Sequence, residues 1–199
     1  MLYGAWIGGR VRKIGETQAL TFTLSLLDDR YVPNGEKLAE QGVSLLRNMI
    51  FRPVLENGAF RAEDLAQERR QLCEELDSEF NDKRIYAKNR AEELLCRGEA
   101  YACGRLGTKE RLEKLTAQEV FAAWERLLRT ARIRITAIGT EAVRAAAMGF
   151  AQELKAIAVR EPVVCGAQLP RGGEAVRRST ERSELSQCKM VMGFCSTVV

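Results

Sequence analysis

Residues 61–80 read RAEDLAQERRQLCEELDSEF, and this densely charged stretch carries one apolar stripe. Four residues form the stripe, at spacings of seven, four and four: Leu65, Leu72, Leu76 and Phe80. These spacings place them on one face of an α-helix, with the charged residues on the other faces. The helical pattern extends over residues 61–96, and we expect Asn81 and Asp82 to break or bend it. The stretch therefore predicts the longest helical segment of the chain.

Glu68 and Glu75 lie seven residues apart in this helix, which is two turns along one face. Two leucines of the stripe occupy the same region, so both carboxylates lie near the edge of the apolar face. A carboxylate in that position can ligate a metal ion or act as a general base. The spacing alone favours a simpler interpretation, a charged helix flank with partners such as Arg69 and Arg70.

Strands and further helices are predicted on both sides of the long helix. Apolar and polar residues alternate, as in half-buried strands, in three segments: 7–14, 17–26 and 133–137. Two more helices are predicted from helical spacing: 36–50 and 141–157. The residues from Thr116 to Glu119 form a capping box, which begins a helix that runs to about residue 129. Strands joined by short turns form antiparallel sheets, so we expect an α+β fold.

The chain changes character after residue 158. Residues 159–183 contain no periodicity, but they hold two prolines, a Gly-Gly pair and several arginines, as is typical of a linker. The apolar run 189–194 predicts a strand, and we expect residues 184–199 to begin a second domain. One strand alone has too few partners to close a sheet. We therefore expect about one domain, residues 1–158, in a chain cut from a longer protein.

The composition excludes several kinds of site. The 199 residues include no histidine, which removes Ser-His-Asp triads, Cys-His dyads and His-ligated metal sites within this chain. The six cysteines lack the close spacing of structural zinc sites, so we expect reduced, packed thiols. The net charge of +4 comes from interspersed basic and acidic residues and does not favour nucleic-acid binding. No segment has the pattern of a membrane span or a signal peptide, and we expect a cytoplasmic protein.

The order of elements and several motifs resemble the insulinase/pitrilysin family of zinc metallopeptidases over roughly residues 2–157. The motifs are Glu68-Arg69-x-x-Leu72-x-x-Glu75-Leu76, Gly107, Leu115-Thr116 before a helix, and Ile135-x-x-Ile138-Gly139. Residues 187–194 are a second, weaker match, where the next domain of the family begins with a glutamine, an apolar strand and Gly-Phe. The resemblance implies an antiparallel sheet with helices packed on one side, followed by the first strand of a similar domain.

The resemblance also implies a zinc site. In active members of the family, an inverted His-x-x-Glu-His motif supplies two zinc ligands and the general base, and a glutamate of a downstream helix supplies the third ligand. Glu75 matches that third ligand, and Glu68 matches a supporting position one heptad earlier. The His-x-x-Glu-His motif would lie at Met1 or upstream of it. Since catalytic zinc takes three protein ligands, we expect no catalytic residue and no bound zinc in this chain, and both glutamates to be vestigial.

Four local stretches look most like the bacterial, non-catalytic branch of the family, which is associated with modification of elongation factor P. They are Leu2-Tyr-Gly-Ala5, Asp28-Asp-Arg-Tyr31, Phe51-x-Pro-x-x-Glu-Asn-Gly-x-Phe60 and Asn81-Asp-Lys-Arg-x-Tyr-Ala87. The resemblance implies a catalytically silent partner or chamber-wall subunit. Its partner would be an active homologous peptidase subunit or a second copy of itself; it could also bind peptide, but neither nucleic acid nor membrane.

Two alternatives remain open. The chain can be a piece of an active zinc metallopeptidase whose His-x-x-Glu-His motif precedes Met1. The arginine-rich residues 171–182 can also bind a nucleic acid or an acidic partner, although their composition favours the simpler interpretation of a mobile, solvated connector.

Overall fold

The computed structural model describes residues 2–156, 176–182, 184 and 187–194. Its strands and α-helices over these ranges are, in order, β1 (Trp6–Ile14), β2 (Thr17–Ser25), α1 (Leu38–Phe51), β3 (Leu55–Glu56), β4 (Ala59–Phe60), α2 (Ala62–Asn81), α3 (Lys83–Leu95), α4 (Lys109–Lys114), α5 (Ala117–Thr130) and α6 (Glu141–Ala156). Helices and two small antiparallel sheets, β1–β2 and β3–β4, make this an α+β fold. The expected fold class is thus confirmed at this level.

Contacts divide the described chain into two compact units. Unit 1 comprises residues 2–11, 20–62 and 116–156. Unit 2 comprises residues 12–19, 63–115 and the described residues after 175. The β1–β2 hairpin has residues in both units, and the expected boundaries at residues 158 and 183 stay predictions.

Unit 1 holds the most deeply buried side chains. They are Val32, Leu38, Ala39, Ala59 and Leu154. Helices α1 and α6 pack against each other, with the rings of Phe51 and Phe150 edge to face at 6.3 Å between centroids. An ion pair of 3.0 Å between Arg47 and Glu153 joins the same two helices. An edge-to-face ring pair contributes about 0.5–1.5 kcal/mol beyond the area that it buries.

Helix α5 is attached to unit 1 by two further aromatic pairs. The ring of Phe60 on β4 meets Phe121 at 5.6 Å, and the ring of Phe22 on β2 meets Trp124 at 6.4 Å. The start of α5 is the predicted capping box: Thr116 accepts from the Glu119 amide, and the Glu119 carboxylate accepts from the Thr116 amide at 2.8 Å. This prediction is confirmed, because the box depends only on residues three apart.

Unit 2 contains the long charged helix, which breaks where the sequence predicts. Asn81 ends α2, and the Asp82 carboxylate then accepts hydrogen bonds from the amides of Arg84 and Ile85 at 3.0 and 3.2 Å. A side-chain acceptor at this position satisfies the free amides of a new helix, so Asp82 starts α3 instead of continuing α2.

Two expected strands are absent from the described residues. Neither 133–137 nor 189–194 is part of a strand, and the two sheets stay separate, in contrast to the single larger sheet that we expected. Alternation of apolar and polar residues indicates an extended chain, but a strand also requires a neighbour with which to exchange hydrogen bonds. No described residue supplies that neighbour to either segment.

Two short elements were not predicted. Asn57 and Gly58 both have positive φ, at 51° and 76°, and form the turn of the β3–β4 hairpin. Asn-Gly is the dipeptide that such turns favour, so this signal was available. Helix α4 begins where the Thr108 hydroxyl accepts from the Arg111 amide, in a stretch for which the sequence gave us no prediction.

The first testable prediction concerns Gly42, a buried glycine within α1. A Cβ built on Gly42 would lie 2.6 Å from Cδ1 of Leu26, whereas a Cβ on Gly149 of α6 would meet nothing within 4 Å. Gly42→Ala should therefore lower the free energy of unfolding by about 1 kcal/mol, because overpacking outweighs the gain in helix propensity. Gly149→Ala should raise it by about 0.5–1 kcal/mol.

Urea unfolding followed by circular dichroism measures both changes. Each substitution serves as the control for the other, because the two should change the free energy of unfolding in opposite directions. If Gly42→Ala stabilises the protein as much as Gly149→Ala, the Leu26 side chain does not pack against α1 at this point.

The second prediction concerns the capping box. Thr116→Ala should lower the free energy of unfolding by about 1 kcal/mol, since the Glu119 amide loses its acceptor. The same contacts hold the pKa of Glu119 below its ordinary value, chiefly through the bond from the Thr116 amide and then through the hydroxyl. This stabilisation is present above the unfolded pKa of a glutamate and is lost as the pH falls through the lowered, folded pKa.

Carboxyl-carbon NMR titration of Glu119 checks the electrostatic part. In Thr116→Ala its pKa should rise towards the ordinary glutamate value. The control substitution is Thr136→Ala at an exposed threonine, which should change neither the stability nor the Glu119 pKa. An unchanged Glu119 pKa in Thr116→Ala would contradict the assignment of the box.

Candidate functional site

Helix α2 presents both candidate carboxylates on its outer surface. The sequence folds here as a helix because Glu63 and Asp64 occupy the first turn, where negative charge complements the helix dipole, and the apolar stripe continues from Leu65. Glu68 and Glu75 are both exposed, as a charged helix flank requires. The structure therefore places them on one helix, but it gives them different surroundings.

Glu75 is paired with an arginine from outside its helix. The Arg105 guanidinium donates through Nη2 to Oε1 of Glu75, and the same nitrogen lies 3.7 Å from Oε1 of Glu79. Glu79 is one helical turn after Glu75, so both carboxylates face one guanidinium. Glu75 and Arg105 are 46% and 36% exposed, which means that solvent screens this pair only in part. The predicted partners Arg69 and Arg70 are not the ones that Glu75 uses.

The tip of the β1–β2 hairpin also holds the loop that carries Arg105. The Lys13 ammonium donates to the carbonyl of Tyr101 and, at 2.7 Å, to that of Cys103, and it lies 4.3 Å from the centre of the Tyr101 ring. The Gln18 amide donates to the Arg105 carbonyl at 3.3 Å. These bonds hold the backbone of the loop, which leaves the Arg105 side chain directed at α2.

Two more basic side chains tie α2 to the segment that follows this loop. Lys109 donates to both carboxylate oxygens of Asp77 at 3.0 and 2.9 Å, and this hydrogen bond raises the pKa of Lys109. Arg69 donates to the Leu115 carbonyl at 2.6 Å. Glu68, by contrast, takes part in no ion pair or hydrogen bond within the described ranges. The resemblance assigns a supporting position to Glu68, but among the described residues its side chain holds no partner in place.

The residues around Glu75 do not fit a zinc site. A catalytic zinc ion takes three protein ligands, and within the described part of the chain no three Cys, Asp or Glu side chains are close enough together to hold a metal. The chain contains no histidine. The carboxylate oxygen that would face a metal is already the acceptor of the Arg105 guanidinium. What this arrangement can do is neutralise two carboxylates and fix a loop.

Arg105, Lys13 and Gln18 are the residues of this region that sequence reasoning missed. Arg105 had a signal, because it is the one charged residue between Gly104 and Gly107, and closely spaced glycines are typical of a loop. Lys13 and Gln18 had none, since their partners lie almost ninety residues away in the chain. Cys73 of α2 is half-buried, and its expected role as a packed thiol stays a prediction.

Two surface grooves among the described residues lie away from Glu68 and Glu75. One, of about 730 Å³, follows α1 and is lined largely by polar side chains, including Glu40, Ser44 and Asn48. The other, of about 330 Å³, lies between α6 and the residues before it; its lining is mostly apolar, with Ile135, Val143 and Met148, but it also includes Thr140 and Arg144. Both grooves belong to unit 1, whereas Glu75 belongs to unit 2.

The chain was also compared with known proteins, and no family model matches it. It is 27% identical over 138 residues to a protein of Bacillus subtilis (strain 168) named Probable inactive metalloprotease YmfF. The match covers 69% of this chain and 32% of that protein. No helix within the described ranges is both long and apolar enough to cross a membrane.

One solved structure is similar in fold as well as in sequence. It is the crystal structure of a conserved protein from Enterococcus faecalis V583, with a TM-score of 0.61 and 27% identity. The similarity covers 65% of this chain and 30% of that one. The chain therefore spans about a third of the length of the relatives that it matches. The comparisons thus relate this chain to bacterial proteins, one of which is named as a probable inactive metalloprotease.

Proposed function

We propose that this chain is part of a catalytically silent, metallopeptidase-like protein of the insulinase/pitrilysin type, which acts as a partner or chamber-wall subunit. The observation that carries the proposal is the hydrogen bond that the Arg105 guanidinium donates to the Glu75 carboxylate. Glu75 is the residue at which the resemblance expects a zinc ligand, and here it faces a cation that belongs to the chain itself.

The similarity to the Bacillus subtilis protein supports the silent part of the proposal. That protein is described as an inactive metalloprotease, and the match extends over most of this chain. The absence of histidine from the 199 residues agrees with the same description. Insulinase/pitrilysin identity itself rests on the sequence motifs and on the mixed α+β fold.

The surface of unit 1 supports the partner role. In residues 132–138 no backbone group bonds to another described residue, and the apolar groove of about 330 Å³ lies beside them. Ile138 is 91% exposed and Met148, which lines the groove, is 53% exposed. Exposed apolar surface beside unpaired backbone is a common feature of protein interfaces. These features support our proposal that the contact with a homologous subunit, or with a second copy, lies at this surface.

The third prediction tests the silent site. Zinc titration of the reduced protein by calorimetry should detect no stoichiometric binding that depends on Glu75, because Arg105 occupies its carboxylate. Glu75→Ala should leave the zinc isotherm unchanged, and the protein should not cleave an unfolded, fluorescently labelled peptide in the presence of zinc.

Arg105→Ala provides the matched comparison for this experiment. It frees Glu75 and Glu79, but two carboxylates without a histidine still lack the ligands of a catalytic zinc site. One equivalent of zinc bound by the unsubstituted protein and lost in Glu75→Ala would overturn the proposal. Weak zinc binding by cysteines is distinguished from zinc binding at Glu75, because it persists in Glu75→Ala.

The fourth prediction tests the partner role. Met148→Glu places a charge on the wall of the apolar groove and should weaken association of the subunit by about tenfold or more, because a charge is costly to bury in an apolar contact. Sedimentation velocity measures self-association, and coexpression with a homologous peptidase subunit measures the mixed complex.

The control for this prediction is Val54→Glu. Val54 is 74% exposed and does not line the groove, so its substitution should leave association unchanged. Both substitutions are at exposed positions and should alter the free energy of unfolding by no more than about 0.5 kcal/mol. Equal effects of Met148→Glu and Val54→Glu on association would contradict the assignment of the interface to this groove.

A further inference from the structure

Residues 176–182 read VRRSTER and belong to the arginine-rich stretch for which the sequence left two interpretations, a mobile connector or a polyanion-binding segment. The structure describes this short segment and shows it against α3. It forms no helix or strand, and all of its side chains are exposed. Its contacts with α3 are made by Glu181 and Arg177.

Glu181 makes the first of these contacts. Its carboxylate accepts a hydrogen bond from the Tyr86 hydroxyl at 2.7 Å and another from Nε of Arg90 at 2.9 Å. One oxygen serves each donor, so the two bonds fix the orientation of the carboxylate as well as its position. Hydrogen bonds to a charged acceptor are among the stronger ones in proteins.

Arg177 makes the second contact, at the other end of the helix. Its guanidinium donates to the carbonyl of Leu95, the last residue of α3, at 3.1 Å. The last carbonyls of a helix lack partners within the helix and carry partial negative charge, so they favour a cation. The last turn of α3 contains no basic residue of its own, and Arg177 supplies that charge.

The spacing of the two contacts matches an extended chain antiparallel to α3. Arg177 and Glu181 are four residues apart, which an extended chain spans in about 13 Å. Leu95 and Tyr86 are nine residues apart along α3, which corresponds to a rise of about 13.5 Å. Segment and helix can therefore meet at both places without bending either.

The two donors on α3, Tyr86 and Arg90, also contact neighbouring side chains other than Glu181. The Tyr86 ring packs edge to face on Phe80 at 5.0 Å between centroids, and the Arg90 guanidinium also donates to Glu93 one turn later. The Tyr86 bond and then the Arg90 bond lower the pKa of Glu181, and the Glu181 bond raises the pKa of Tyr86. Arg90 lowers the pKa of Tyr86 and Glu93 raises it, and the Lys83 ammonium lies 5.8 Å from the centre of the Tyr86 ring.

We propose that Tyr86 and Arg90 form a carboxylate-binding site on α3, and that its ligand is Glu181, which docks residues 176–182 on the helix as a strap. The strap is then neither a free connector nor a basic surface offered to a polyanion, because the helix itself engages the Arg177 guanidinium. The next described segment also reaches α3: a Cβ on Gly193 would lie 3.0 Å from Cδ2 of Leu95.

Limited trypsin digestion of the full chain tests the proposal, since Arg177, Arg178 and Arg182 are cleavage sites within the strap. Cleavage after Arg178, followed by mass spectrometry, should be about tenfold faster in Glu181→Ala than in the unsubstituted protein, because the loss of two charge-assisted bonds releases the strap. Tyr86→Phe should give a smaller acceleration. Glu184→Gln, at an exposed glutamate outside the site, should give none.

A double substitution distinguishes the proposed contact from a general loss of stability. If both residues act through one contact, Tyr86→Phe combined with Glu181→Ala should be cleaved no faster than Glu181→Ala alone. Circular dichroism confirms that each variant is folded. Fully additive effects, or an unsubstituted protein cleaved as fast as Glu181→Ala, would overturn the proposal and leave a free connector.

Tyrosine titration by NMR provides a second readout that loss of packing alone would not produce. The resonance that disappears in Tyr86→Phe should titrate at a higher pH than that of a free tyrosine, and Glu181→Gln should move it to lower pH. The contribution of this bond to stability is present below the ordinary tyrosine pKa and is lost as the pH rises through the raised one. A Tyr86 resonance that does not respond to Glu181→Gln would also overturn the proposal.

Discussion

The contact between the Arg105 guanidinium and the carboxylates of Glu75 and Glu79 organises unit 2. It joins the long helix α2 to a loop that has no regular structure over most of its length, and the hairpin tip holds the same loop through Lys13. Without the guanidinium, two carboxylates one turn apart would repel each other on the helix surface. With it, charge-assisted hydrogen bonds connect α2, the loop and the hairpin tip. These bonds matter in unit 2 because its described part contains no side chain as deeply buried as those of unit 1.

The same contact bears on the similarity of this chain to a protein that is described as an inactive metalloprotease. A helix with Glu68 and Glu75 in the observed spacing resembles the helix that supplies a third zinc ligand, and the relative from Bacillus subtilis is described as inactive. In this chain Glu75 lies on the exposed flank of α2 and is paired with the Arg105 guanidinium. The function of such a site follows from its own residues, since function belongs to the site more than to the fold.

The parts of the fold that were predictable from the sequence are those that local chemistry determines. The capping box at Thr116, the break before α3 at Asp82 and the β1–β2 hairpin each depend on residues within a few positions of one another. The expected strand at 133–137 was wrong because pairing requires a neighbour that alternation cannot reveal. Likewise, the position of Glu75 on a charged helix flank was predictable from the spacing, whereas its pairing with Arg105, thirty residues later, was not, because that pairing depends on how the loop and helix meet in space.

The nature of the cation beside Glu75 has a consequence for how the protein responds to its surroundings. A bound metal ion is in equilibrium with the solution, so a fold that depends on one weakens whenever a chelator or metal starvation removes it. A guanidinium is covalently part of the chain and stays protonated at every physiological pH. The cation beside Glu75 therefore cannot diffuse away, and the contact between α2 and its loop does not itself depend on the supply of metal.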